Sequence, residues 1–301
     1  MAARSSGTVE SFLPPRLLER LGGLEVVART VVRGFLAGAH RSPRRGAGED
    51  FARHRDYQQG DDTRRLDWKL FARTDRLHVR EYEERSNLAA YLVVDASISM
   101  EFADGDDPTK LRYASFVAAA LAHLMLGMGD AVGLAAFGAE PRLLVPPGAR
   151  RGQLHDLLLE LERMAAAGAG GAAGALDRVG AALPRRGRVV LVSDLLEDDD
   201  GDALVAAAGR LRARGDEVVV MRVLTPEEET GGGAGLFFDP ERPEREVPAV
   251  PGEDGGYPRR VAAYYASIAN RLRERGVEYV PLTTAQPVES ALAAWVAGRR
   301  G

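Results

Sequence analysis

The sequence predicts an α/β fold with a mainly parallel sheet flanked by helices, and three observations carry that expectation. Strand-length, buried-looking apolar runs, LAAYLVVDAS from Leu88, GRVVLVSD from Gly187 and DEVVVMRVL from Asp216, alternate with helix-length segments, the order of a βαβ architecture. The chain has 301 residues and 45% hydrophobic content, enough to bury a full core as one large domain or two modest ones. No stretch approaches eighteen uninterrupted apolar residues, and the N-terminus lacks the apolar core of a signal peptide, so a cytoplasmic globular protein without a transmembrane segment is expected.

In chain order, LLERLGGLEVVARTVVRGFLAG from Leu17 reads as one or two amphipathic helices broken near Gly22 and Gly23. Residues 39 to 76 show no sustained period and are dense in Arg and Asp. Phe51, Tyr57, Trp68 and Phe71 argue for an ordered loop region there, since a solvated disordered segment seldom carries them. HVREYEE from His78 alternates like a strand. After the run from Leu88, PTKLRYASFVAAALAHLMLG places apolar residues at 111, 114, 118, 121, 122 and 125, which is helical spacing. DAVGLAAFG and PRLLVPP, joined tightly at Ala139 and Glu140, predict an antiparallel hairpin. Two short helices over 150 to 183, a strand, a helix over 202 to 214, a strand, a helix over 258 to 275, the strand VEYVPLT and a last helix over 287 to 297 complete the alternation. Residues 226 to 256, rich in Gly, Pro and acidic residues, read as a surface excursion in which GLFFDPERPEREV forms at most a small hairpin. The expected division is an N-terminal helical and Arg/Asp-rich segment, 1–86, packed on a sheet domain, 87–301.

The absence of cysteine excludes disulfides, thiolate metal sites and cysteine nucleophiles. The five histidines lack zinc-site spacing, GAGGAAG lacks the Lys-Ser/Thr end of a phosphate loop, and no G-x-S-x-G elbow occurs. The chain is acidic overall, at a net charge of −4, and the basic cluster HRSPRRG is too small to predict nucleic-acid binding. All but two of the forty cationic residues are arginine; the exceptions are Lys69 and Lys110. Arginine favours bidentate carboxylate pairing, so Asp61, Asp62, Arg64, Arg65, Asp67, Trp68 and Arg73 are read as a network that locks the N-terminal block onto the sheet domain or forms a partner-binding surface.

LVVDASISM, residues 92 to 100, carries the candidate chemistry. If the extended path continues past the strand end, Asp95, Ser97 and Ser99 point the same way. One carboxylate and two hydroxyls, completed by water, are a ligand set that Mg²⁺ accepts. The bland alternative is that Asp95 and Ser97 cap backbone donors where the strand turns toward the next helix. No His or Lys lies near Asp95 or Asp194 in sequence, which disfavours the rival reading of a cation-dependent hydrolase, because such chemistry needs a positioned base or nucleophile.

DASISM after a first strand, then a helix, a hairpin and VVLVSD closing a later strand, resembles a von Willebrand factor A domain. Upstream, YQQGDDTRRLDWKLFARTDRLHVREYEERSNL resembles the bacterial family catalogued as domain of unknown function 58, whose members join this segment to such a domain. The resemblance implies a von Willebrand factor A-like, Rossmann-like sheet whose first and fourth strands are central neighbours. It also implies a non-enzymatic interaction module working as an adaptor with an AAA+ ATPase of the MoxR type. It matches Asp95, Ser97 and Ser99 to the first ligand group of a metal-dependent adhesion site and Asp194 to its second carboxylate, with a cation bridging to an acidic group of the partner. The sequence departs from that pattern: no Ser or Thr occurs between Pro147 and Gly187, and the expected threonine loop reads GAGGAAGAL. Weak Mg²⁺ binding is the expectation that follows.

Overall fold

The computed structural model describes residues 13–41, 54–56, 78–80, 88–184, 186–196, 199–231, 235–239, 242–249 and 256–298. Helix α1 (Pro15–Leu18) runs through a 3₁₀ turn to Gly22 and Gly23, both at positive φ, before α2 (Leu24–Arg41) begins. The expected break falls at that glycine pair because both backbones adopt a conformation that penalises any Cβ. Strands β1 (His54–Asp56) and β2 (His78–Arg80) pair antiparallel with each other. The extended stretch expected from His78 is therefore described as strand only to Arg80. Its partner lies inside the segment read as an aperiodic loop, since three residues are too few to show a period.

The remaining elements are β3 (Ala89–Asp95), α3 (Lys110–Gly127), β4 (Ala131–Phe137), β5 (Arg142–Gly148), α4 (Gln153–Glu162), α5 (Ala172–Ala182), β6 (Arg188–Ser193), α6 (Asp202–Ala213), β7 (Glu217–Leu224), α7 (Pro226–Thr230), β8 (Gly235–Asp239), β9 (Arg242–Ala249), α8 (Tyr257–Glu274), β10 (Glu278–Thr283) and α9 (Glu289–Gly298). Six strands form the main sheet in the order β10-β7-β6-β3-β4-β5, and every pairing is parallel except β4 with β5. Both edge strands carry proline, Pro281 in β10 and Pro146 with Pro147 in β5, which removes ladder donors where another chain could add on.

The period of two along the central strands divides the core. Ala90, Leu92 and Val94 of β3 with Val190 and Val192 of β6 pack beneath α2, α3, α4 and α9. Tyr91 and Val93 with Val189 and Leu191 face the opposite layer, made by α5, α6 and α8. Strands β3 and β6 are direct neighbours, and the helices that follow them, α3 and α6, cover opposite faces. A crevice opens at the carboxyl ends of two such strands, the switch point of an open α/β sheet.

The other end of the sheet is pinned by arginine. Arg188 at the start of β6 reaches Asp130 at 3.2 Å and Glu217 at 2.6 Å, with its guanidinium 5.6 Å from the Trp295 ring centre. Asp216 accepts the Gly187 amide and the Arg214 side chain. A planar fork can satisfy several acceptors from one buried position.

Two sequence readings need correction or placement. Residues 226 to 230, read as part of the excursion, form α7 with a complete capping box between Thr225 and Glu228, a signal visible as Thr-Pro-Glu-Glu but masked by the surrounding acidic, proline-rich composition. Strands β8 and β9 do form an isolated hairpin. Asp61, Asp62, Arg64, Arg65, Asp67, Trp68 and Arg73 lie outside the described residues.

Helix α2 belongs to the main core: Leu24, Val27, Ala28 and Val31 are fully buried among residues of α3 and α4. Leu24→Ala is expected to lower the stability of the whole sheet domain by about 2–5 kcal/mol, measured as a shifted urea midpoint. An unchanged main transition would mean that α2 unfolds on its own.

Candidate functional site

Asp95 ends β3 and Asp194 follows β6, so the neighbouring strands bring both carboxylates to the same end of the sheet, where both are buried. Asp95 Oδ1 accepts the Ser97 amide at 2.8 Å and its Oδ2 accepts the Ser193 hydroxyl at 2.5 Å. The Ser97 and Ser99 hydroxyls lie 3.0 Å apart. Asp95, Ser97 and Ser99 thus do converge, but largely on each other and on Ser193, a member the sequence reading did not include.

The segment after β6 is held in a costly shape. Leu195 has φ 59°, a left-handed conformation that residues other than Gly, Asn and Asp avoid. Its amide donates to Ser193 Oγ at 2.9 Å, and the Leu196 amide donates to Asp194 Oδ1 at 3.1 Å. From α8, Tyr265 and Tyr264 donate their hydroxyls to the Asp194 and Leu195 carbonyls at 2.9 and 3.0 Å. Four hydrogen bonds over-determine the turn, as a strained backbone requires.

The second oxygen of Asp194 has a partner that the sequence reading missed. Lys110, the first residue of α3 and completely buried, donates to Asp194 Oδ2 at 2.7 Å and to Glu228 Oε1 at 2.5 Å. Glu228 is aimed by its capping box: its Oε2 accepts the Thr225 amide at 2.8 Å and the Thr225 hydroxyl at 3.2 Å, while Thr225 Oγ1 accepts the Glu228 amide. The statement that no Lys lies near Asp95 or Asp194 holds along the chain and fails in space. A signal was present, because a lysine opening an apolar helix sits against the positive end of the helix dipole and calls for anions nearby.

The electrostatics follow from burial. Burial alone would depress the Lys110 ammonium, but the carboxylates of Asp194 and Glu228 outweigh it and hold its pKa above the ordinary lysine value. Among the described residues no cation pairs with Asp95. Burial first, and then the Asp194 carboxylate, push it up to about 7, against the opposing hydrogen bonds from Ser193 and Ser97.

The loop where a threonine ligand was sought does lie beside this group. The Ala167 amide donates to the Ala96 carbonyl at 2.8 Å and the Ile98 amide to the Gly168 carbonyl at 2.9 Å. It contributes backbone only. A Cβ on Gly168 would stand 2.4 Å from the Ala139 Cα, and one on Gly138 would stand 2.4 Å from the Ala167 carbonyl oxygen. The ammonium against Asp194, together with one protein donor on each oxygen of Asp95 and Asp194, disfavours a divalent cation at these residues as folded. Among the described residues no group of three or more His, Asp or Glu is arranged to hold a metal ion.

Comparison with known proteins places this geometry in a family. The model of the family described as protein of unknown function DUF58 matches residues 53–247. A protein of Mycobacterium tuberculosis and one of Mycobacterium bovis, both described as uncharacterized, are each 31% identical over 292 residues, covering 95% of this chain and 90% of theirs. The chain belongs to the DUF58 family. Among solved structures, the conserved hypothetical protein BatB of Bacteroides thetaiotaomicron is 16% identical with a TM-score of 0.50. An aerotolerance-related membrane protein of Bacteroides fragilis is 18% identical with a TM-score of 0.51. Each match covers 71% of this chain and the whole of the other. The fold is von Willebrand factor A-like, with the parallel sheet and central strand pair described above.

Two outcomes follow. Asp194→Ala leaves the buried ammonium with one partly exposed carboxylate and is expected to cost about 3–5 kcal/mol; Glu228→Gln, whose side chain is 20% exposed, costs less, and chemical denaturation ranks the two. For Asp95, the folded state keeps a proton that the unfolded chain releases near the ordinary value of about 3.9. Its contribution to stability therefore falls as pH rises from about 4 to about 7 and is constant above that. Asp95→Asn should melt above the unsubstituted protein at pH 8, with the advantage shrinking below 7 and gone by about pH 4, as read by calorimetry across that range.

Proposed function

We propose that this member of the DUF58 family is a non-catalytic protein-interaction module of the cytoplasm, an adaptor that uses the crevice at Asp95 and Asp194 to engage an AAA+ ATPase of the MoxR type. The observation that carries the interaction reading is that exposed apolar side chains project from the segments that enclose the buried polar group. Among the described residues seven large hydrophobic side chains are exposed, and Phe102, Leu196 and Tyr257 are three of them. Each is tied to the crevice: the Phe102 carbonyl accepts the Lys110 amide at 3.0 Å, Leu196 follows Asp194, and the Tyr257 ring lies against Gly231 at the end of the helix that carries Glu228. Exposed aromatic and aliphatic side chains around one opening mark a protein contact surface.

The hydrolase alternative finds less support. Asp95 has the pKa of an acid–base group, but it is 2% exposed and both of its oxygens serve the turn. A base must come within hydrogen-bond reach of the proton it takes. Weak Mg²⁺ binding, expected from the Asp-Ser-Ser spacing, plays no part in this reading, because an ammonium already pairs with Asp194. No described helix is long and apolar enough to cross a membrane.

The test measures affinity between the purified full chain and the MoxR-type ATPase of the same genome by biolayer interferometry. Phe102→Asp or Leu196→Asp should weaken binding at least about tenfold, the scale of a hot-spot residue, with the melting temperature unchanged. Absence of binding, or binding indifferent to both substitutions, overturns the proposal.

A further inference from the structure

We infer that Lys110 is the resident cation at this end of the sheet: its ammonium holds Asp194, the second carboxylate of the candidate metal set, so that the site is built and kept in shape without a divalent metal. The inference goes beyond the interaction reading and does not depend on what the crevice binds.

Four observations converge on it. The ammonium is fully buried, 2.7 Å from the second carboxylate of the candidate metal set. It is bound on its other side at 2.5 Å by Glu228, whose carboxylate is held in place by a capping box on a five-residue helix between β7 and β8. Three segments distant in sequence therefore meet at one nitrogen. Every carboxylate oxygen of the candidate set already accepts one protein donor, Asp95 from Ser97 and Ser193 and Asp194 from Leu196 and Lys110. The adjoining loop has no room to add a ligand at Gly168.

The residue choice supports the same conclusion. This chain meets almost every need for positive charge with arginine, and Lys110 is one of only two lysines. Arginine does the pairing at the opposite end of the sheet, where Arg188 spans Asp130 and Glu217. An ammonium is a compact point charge with donors that can turn toward separate acceptors, whereas a guanidinium is a flat fork. At a point where Asp194 and Glu228 converge, the compact cation is the closer equivalent of a metal ion.

The test uses the full chain and Mn²⁺ or Mg²⁺ as the probe. Melting temperature is measured in excess chelator and in millimolar cation, and Mn²⁺ binding is followed by electron paramagnetic resonance. The unsubstituted protein should show the same melting temperature in both conditions and no saturable Mn²⁺ binding. Lys110→Ala removes a unit charge beside Asp194 and opens space, and should gain Mn²⁺ affinity by at least about tenfold. If that variant is too unstable to titrate, added Mn²⁺ should raise its melting temperature. Saturable Mn²⁺ binding by the unsubstituted protein that is abolished by Asp95→Ala overturns the inference. So does a Lys110→Ala chain that gains neither affinity nor thermal stability from Mn²⁺, because the carboxylates would then not be a cation pocket at all.

Discussion

A single buried ammonium sets the constraint on which the carboxyl end of this sheet depends. Removing Lys110 from water without compensation would cost several kcal/mol, and it is wholly buried. The compensation comes from Asp194, beyond the end of β6, and from Glu228, on α7 beyond β7. The start of α3, the end of β6 and the β7–β8 connection must therefore be correctly placed together. Asp194 in turn fixes the left-handed Leu195 through the Leu196 amide, and that turn presents Ser193 to Asp95. The polar floor is one connected network reaching from the Lys110 ammonium to the Ser99 hydroxyl.

The sheet explains why these groups meet. With β3 and β6 adjacent and α3 and α6 covering opposite faces, the two strand ends meet at the switch point of the sheet. The period-two split of β3 into two apolar faces holds the strand between the layers, leaving the residues past its end to turn polar. The opposite end has its own ion pairs, Arg188 with Asp130 and Glu217, but there a fork-shaped cation links strand starts and the neighbouring Trp295 seals the cluster. The two ends thus solve the same electrostatic problem with different cations.

Much of this was legible in the sequence, and the misses have particular causes. Strand and helix order follow from apolar period, so Asp95 and Asp194 could be placed at strand ends, and the tight Ala139–Glu140 connection identified the hairpin of β4 and β5. Lys110 was missed because the contact that matters spans 84 residues, and periodicity carries no long-range information. Its anomaly was local: a cation at the positive end of an apolar helix, in a chain with only two lysines. Glu228 was missed because its capping box, a motif of four residues, sits in a stretch whose acidic, proline-rich composition reads as loop. Ser193 was read as strand, and its role as the hydroxyl between Asp95 and Leu195 requires the left-handed turn that no spacing rule announces.

A crevice that carries its own cation offers a partner something different from a metal site. A bound divalent ion keeps open coordination positions and surplus positive charge, and so attracts a carboxylate. Here one ammonium faces two carboxylates, so the Lys110, Asp194 and Glu228 cluster carries a net negative charge, and Asp95 adds to it whenever it ionises. An acidic group arriving from a partner would be repelled and would have to displace Glu228 from its capping box to reach the ammonium. Phe102, Leu196 and Tyr257 remain exposed on the segments around this cluster. In the proposed interaction, area removed from water at these side chains would supply the attraction, while the paired carboxylates beneath would discriminate against acidic groups by charge. If the proposed interaction holds, the partner chemistry it calls for is an apolar or cationic segment, the reverse of what a metal-bridged contact would select.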